Sequence, residues 1–121
     1  MEIKFNTWDK FEKKMILWED LVENEGLVPE VLLNSARYIP LQYSNRNDFI
    51  NQELYIGDII KATDNEDSET FGEVIFKDSS FCIKWKHSIW GNDFIWELNW
   101  NDTDFTIVKQ GNIYEGLKID L

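Results

Sequence analysis

Apolar residues in the second half of the chain fall at every other position, the spacing of a half-buried strand. In "GEVIFKDSSFCIKWK", Val74 and Phe76 share a face with Phe81, Ile83 and Trp85, while Glu73, Lys77, Lys84 and Lys86 take the other. The pattern predicts a hairpin closed by Asp78, Ser79 and Ser80, whose side chains bond to nearby amides and interrupt a ladder. "FIWELNW" continues it as a third strand, with Phe94, Trp96, Leu98 and Trp100 on one face. After "NDTD", the stretch "FTIVKQ" reads as a fourth strand, ended by Gly111.

The first half is mixed. "EIKFNTW" alternates as a strand, yet Phe11, Met15, Trp18 and Val22 stand at near-helical spacing, and Asp9 with Glu12 fits an acidic capping box. Periodicity leaves Met15 to Trp18 open between strand and helix. "VPEVLLNSARYI" predicts the one helix, with Pro29 in its first turn and Pro40 as its stop. Short linkers are expected at "ENEG", "SNRND" and "TDNEDSET". No repeat of solenoid or propeller length is present.

These elements imply a mainly β domain of β-rich α+β class. Its C-terminal two-thirds form an SH3-like, partly open barrel, preceded by an N-terminal β-hairpin and a short helix. A single domain spans residues 1–121, the hairpin and helix occupying about 1–40 and the barrel-like part about 41–115. A chain of 121 residues buries roughly two-thirds of its unfolded surface, so one core is the expectation. Six Trp, four Tyr and eight Phe exceed what one small barrel interior takes, which places some aromatics at a surface or between subunits. Trp90, Trp8 and Trp18 are the candidates.

Charge narrows the partners. Twelve basic against 23 acidic residues give a net charge of −11, which repels phosphate backbones and anionic lipid. The bases are scattered, so direct DNA binding needs Lys4, Lys84 and Lys86 on one face. A single cysteine, Cys82, permits no internal disulfide and suits a reducing cytoplasm. No apolar run has the length of a signal sequence or a membrane span.

The chemistry-bearing residues assemble no recognised catalytic pattern. Cys82 and His87 lack an orienting third group, and one His with one Cys cannot furnish a zinc set. The acidic loop invites calcium, but counting from Asp64 the sixth and twelfth places hold Glu69 and Ile75, where an EF-hand loop needs Gly and Glu. Asp102 with Asp104 and Glu19 with Asp20 are carboxylate pairs of a kind that arises readily among 23 acids. No phosphate-binding Gly-rich loop occurs, so neither cofactor nor metal is expected. In "ELYIGDIIK", Gly57 reads as a position of positive φ or of close strand packing and Asp58 as an acceptor for turn amides, with Gly72 at the bend where the next hairpin starts.

The blocks "IKFNTWDKFEKKMILWEDL", "LQYSNRNDFINQELYIGDIIK", "GEVIFKDSSFCIKW" and "IVKQGNIYEG", in this order, resemble the YopX family of small phage and prophage proteins of Gram-positive bacteria. The resemblance covers nearly the whole chain. It departs at "SNRNDFINQ", where the family has a Gly- or Lys-rich turn. It implies a strand at Met15 to Trp18, with a hairpin connection from Asp9 to Lys14. The structural positions it carries over are Tyr55 with Gly57 and Asp58, Gly72 with Val74, and Gly111, Asn112, Ile113 and Tyr114. It implies the bacterial cytoplasm and brings no catalytic motif. The function expected on these grounds is a non-enzymatic module that binds a protein partner or assembles with itself. The alternatives are an acidic inhibitor competing with DNA for a nucleic-acid-binding protein and, more weakly, a DNA-binding accessory protein.

Overall fold

The computed structural model describes residues 2–24, 26–64, 66–85, 94–97 and 106–115. Strand β1 (Phe5–Asp9) turns back into β2 (Lys14–Ile16), pairing Trp8 with Met15 and Asp9 with Lys14. Met15 and Ile16 are therefore strand, and Trp18 already opens a helix, α1 (Trp18–Glu23). Asp9 explains the choice. Its Oδ1 accepts the amides of Phe11 at 3.0 Å and Glu12 at 3.2 Å, so the residue that fits a helix cap instead closes the hairpin turn.

A second helix, α2 (Leu27–Leu33), follows Gly26, whose φ of 89° joins the two. The expectation of one short helix is thus corrected to two. Pro29 sits in the first turn of α2 as predicted, where its missing N–H costs nothing. Pro40, however, is no helix stop: α2 ends at Leu33, and Pro40 lies inside β3 (Tyr38–Asn47), opposite Thr7 of β1. The ladder tolerates it because the next strand, β4 (Glu53–Tyr55), pairs with β3 only from Tyr43 onward, leaving β3 an edge at Pro40. Most of the expected linker "SNRND" is likewise strand, in an irregular stretch where Asn45 has a φ of 63°.

The order β2-β1-β3-β4 makes one antiparallel sheet. The other has the order β8-β7-β6-β5-β9, from β5 (Asp58–Thr63), β6 (Glu69–Lys77), β7 (Ser80–Trp85), β8 (Phe94–Glu97) and β9 (Thr106–Asn112). The fold is mainly β with one sheet curled as a half-barrel. Through its pairing with β1, β3 belongs to the N-terminal sheet.

Among the described residues the buried apolar side chains form two clusters. Leu21, Val31 and Tyr38 sit under the helices with Phe5, Ile16 and Trp18 packed around them. Ile60, Ala62, Val74, Ile83 and Trp85 of the five-stranded sheet pack together with Leu54 of β4, which joins this cluster to the other sheet. The β6–β7 register, Val74 opposite Ile83 and Phe76 opposite Phe81, follows the alternation in the sequence. The hairpin is not half-buried throughout: Cys82, on the opposite face, is buried as well.

Gly72 marks no bend. It lies inside β6 with Trp85 as its partner, and a Cβ there would stand 2.6 Å from Ile83 Cγ2 and 3.0 Å from Trp85 Cε3. The missing side chain lets two large neighbours cross the strand. Gly111, expected to end β9, is part of it, at a bulge with a φ of 151°. Among the described residues, no helix is long and apolar enough to cross a membrane.

Candidate binding cleft where the sheets meet

The β4–β5 connection Tyr55-Ile56-Gly57-Asp58 behaves as its sequence predicts. Gly57 has a φ of 90° and donates its amide to Val74 O at 2.8 Å, while its carbonyl accepts from Ile113 N at 3.0 Å. Asp58 Oδ2 accepts the Tyr55 amide at 2.7 Å. Asn112, opposite Asp58 in the ladder, turns the chain after β9: its Oδ1 accepts the amides of Tyr114 and Glu115, both at 2.9 Å. Gly57, Asp58 and Asn112 are thus brought together by structure.

The same place holds a charged cluster that pattern reading missed. In a regular β5–β9 ladder Gln110 would face Ile60. The bulge makes Gln110 the extra residue and gives that position to Lys109. Lys109 Nζ comes to 3.0 Å from Asp58 Oδ2 and donates to Glu53 O at 3.4 Å. Nearby, Lys4 pairs with Glu53 and, at 3.3 Å, with Glu2. Tyr55 donates its hydroxyl to Glu53 Oε1 at 3.2 Å. The lysines also lie over tyrosine faces, Lys4 4.8 Å from the Tyr43 centroid and Lys109 5.8 Å from that of Tyr55.

Burial sets the electrostatics. Asp58 is pushed up to about 6 by desolvation, which outweighs the opposing pull of Lys109 and the Tyr55 amide. The Tyr55 hydroxyl is raised by burial and by the charge of Glu53. Lys4 is held above the usual lysine value chiefly by its hydrogen bond to Glu53.

Two adjoining cavities open around these groups. One, of about 260 Å³, is bounded by Lys4, Trp18, Glu19, Glu53, Tyr55 and Lys109. The second, of about 150 Å³, reaches Asp58, Asn112 and Glu115. Asn6, Leu17, Tyr55 and Lys109 line both, so the two are lobes of one cleft. The cleft presents carboxylates, ammonium groups and aromatic faces, a set suited to holding a charged group by ion pairing and ring contact.

Of the other candidates, Trp18 lines the larger cavity and Trp8 does not. Trp8 meets Tyr114 with tilted rings, centroids 5.8 Å apart, and Trp18 meets Phe5 in the same way at 4.9 Å, both half-buried in contacts within the chain. Trp90, His87, Asp102 and Asp104 fall outside the described residues. Asp64 staples its own loop, its Oδ1 accepting the amides of Glu66 and Ser68 at 2.9 Å. Cys82 Sγ has backbone carbonyls for neighbours, the nearer being Ser80 O at 3.6 Å. No protein-family model matches the chain, and no curated protein matches it either.

Proposed function

We propose that the chain is a non-enzymatic protein-interaction module whose helical pair contacts a basic partner protein. The observation that carries this is on α2, where Val31 is buried while the next two residues, Leu32 and Leu33, are 58% and 86% exposed. Val22 of α1 is exposed as well. The acids of the two helices, Glu19, Asp20, Glu23 and Glu30, are accompanied by no basic residue. Two such faces would repel each other, so the charge favours a basic partner over a second copy. The YopX-like resemblance fits this reading, with phage or prophage origin and action in the bacterial cytoplasm as parts of the same proposal.

The test is a nuclease-treated pull-down with the wild type and with a Leu32→Ser, Leu33→Ser variant shown to fold by circular dichroism. A basic protein retained by the wild type and lost from the variant supports the proposal. Sedimentation as a self-associated species, or partners indifferent to the two leucines, overturns it.

The net charge of −11 favours a second reading, an acidic competitor with DNA for a nucleic-acid-binding protein. Its complex would weaken steeply between low and physiological salt and survive loss of Leu32 and Leu33, whereas one seated on the helical face would be lost with the two leucines. Direct DNA binding loses Lys4 as a contributor, since Glu2 and Glu53 already engage its ammonium.

A further inference from the structure

We infer that the smaller lobe of the cleft is a binding site for a primary carboxamide, an uncharged group that donates and accepts hydrogen bonds at once. The inference stands on the lobe's own walls and does not depend on the helical face.

Three aspartates are almost fully buried among the described residues, Asp9, Asp48 and Asp58. Two of them have both oxygens engaged. Asp9 accepts from the amides of Phe11 and Glu12 and twice from Arg37. Asp48 accepts from the amides of Ile50, Gln52 and Lys109 and from the Gln52 side chain. Asp58 differs. The Tyr55 amide and Lys109 Nζ both meet its Oδ2, and no donor among the described residues meets Oδ1. A carboxylate takes up to about four hydrogen bonds, and a buried acceptor left short is costly. Asp58 lines the smaller lobe, so the lobe is where a further donor would stand. Desolvation raising this aspartate is the electrostatic sign of the same shortfall.

Asn6, on the same walls, is incomplete in the opposite sense. Its Oδ1 accepts the Trp18 amide at 3.0 Å, which fixes the orientation of the group and leaves Nδ2 as a donor with no acceptor among the described residues. A carboxamide satisfies both. The charges already present disfavour an ion: Lys109 neutralises Asp58, so an anion would meet the carboxylate and a cation the ammonium. Glu115 is engaged by Asn112 Nδ2. The rest of the wall includes Met15, Leu17, Leu41 and Ile56, an apolar surface for a short alkyl tail. At about 150 Å³ the lobe admits a molecule of roughly benzene size.

The group has two natural sources, a free small amide and an asparagine or glutamine side chain of a partner. The experiment is a chemical-shift titration of the full chain at about pH 7.5, above the Asp58 value, with n-butyramide and its isomer N,N-dimethylacetamide, which has no N–H. Butylamine and butyrate are the cationic and anionic controls, and blocked glutamine stands for a partner's side chain. Saturable shifts at Tyr55, Asp58, Lys109 and the Asn6 side-chain amide are expected with n-butyramide. Dimethylacetamide should bind at least about tenfold more weakly, the loss of a hydrogen bond to a charged acceptor. Asp58→Asn, whose oxygen stays with the Tyr55 amide and whose nitrogen replaces Oδ1, should weaken n-butyramide by a similar factor while its spectrum remains that of a folded chain. Tighter binding of blocked glutamine assigns the group to a partner's side chain, and tighter binding of n-butyramide to a free ligand. No saturable shift, which would leave the lobe to water, equal binding of the two isomers, a preference for butylamine or butyrate, or indifference to Asp58→Asn would overturn the inference. The Leu32→Ser, Leu33→Ser variant should bind n-butyramide unchanged, so failure here is distinguishable from failure of the helical contact.

Discussion

Asp58 Oδ2 lies 2.7 Å from the Tyr55 amide and 3.0 Å from Lys109 Nζ, so a single carboxylate oxygen closes the β4–β5 turn and anchors β9. The charge is expensive to bury. Desolvation, assisted by Glu115, carries the group to about 6 against the pull of Lys109. An acid whose folded value lies above its unfolded one binds its proton more tightly when folded. Its contribution is therefore full below about pH 4 and is lost as pH rises through 6, a swing of up to about 3 kcal/mol. Asp58→Asn keeps an acceptor for Tyr55 and removes the titration. Urea unfolding at several pH values should show it within about 1 kcal/mol of wild type at pH 7, and less stable relative to wild type at pH 4. A gap that instead widened with rising pH would mean that the Lys109 pair dominates. Asp58→Ala, which strands the Tyr55 amide, should cost about 1–3 kcal/mol at every pH.

Glycine at 57 and 72 is required for different reasons, and the two should respond differently. Gly57→Ala meets both a φ of 90° and Tyr114 Cε2 at 2.8 Å. The backbone component is about 1–2 kcal/mol, and Tyr114→Ala should relieve only the remainder. Gly72 has no unusual φ, so its Ala variant suffers from Ile83 and Trp85 alone, at about 1–3 kcal/mol. Thermal unfolding of the singles and of Gly57→Ala with Tyr114→Ala separates the two causes.

The legible parts of this fold are those in which local pattern and tertiary environment agree. Val74, Ile83 and Trp85 alternate in the sequence and are buried in the order that alternation predicts. Gly57 and Asp58 carry their turn chemistry in their residue types. Pro40 misleads because it reads as a helix stop, and only the absence of a second partner at that point of β3 admits it to a sheet. Lys109 is illegible for a related reason: nothing in "FTIVKQG" signals that Gln110 will bulge and turn the lysine toward Asp58. The cleft joins residues from position 4 to position 115, a separation at which single-sequence periodicity is silent.

The β6–β7 turn offers a stabilising change. Asp78 and Ser79 have φ values of 52° and 65°, the positive pair that a two-residue hairpin turn twisted to match its strands requires. Aspartate tolerates that region, and serine less so. Ser79→Gly creates the Asp-Gly sequence that such turns prefer and should raise stability by about 0.5–1 kcal/mol, visible as a later urea midpoint with an unchanged slope. An earlier midpoint would mean that Gly's extra freedom in the unfolded chain outweighs the relief of strain.

Asp9 is the counterpart of Asp58 with the opposite sign. Its carboxylate is almost fully buried yet accepts two bonds from Arg37, at 3.2 and 3.0 Å, besides the amides of Phe11 and Glu12. Those bonds, Arg37 first, hold it below the usual aspartate value. A depressed value means stability present above about pH 4 and lost as pH falls through the folded value. Arg37 is itself placed between rings, 5.3 Å from the Phe11 centroid and 5.1 Å from that of Tyr38. Arg37→Met should therefore cost about 3 kcal/mol at pH 7 by leaving a buried carboxylate without its cation. Arg37→Lys should recover less than half, since an ammonium supplies neither the paired bonds nor the planar contact. In a double-mutant cycle, Asp9→Asn with Arg37→Met should cost less than the sum of the singles. The wild-type advantage over Arg37→Met should also shrink in denaturation below about pH 4, as the carboxylate takes up its proton. An advantage unchanged at that pH would assign the role of Arg37 to ring packing rather than to the charge of Asp9.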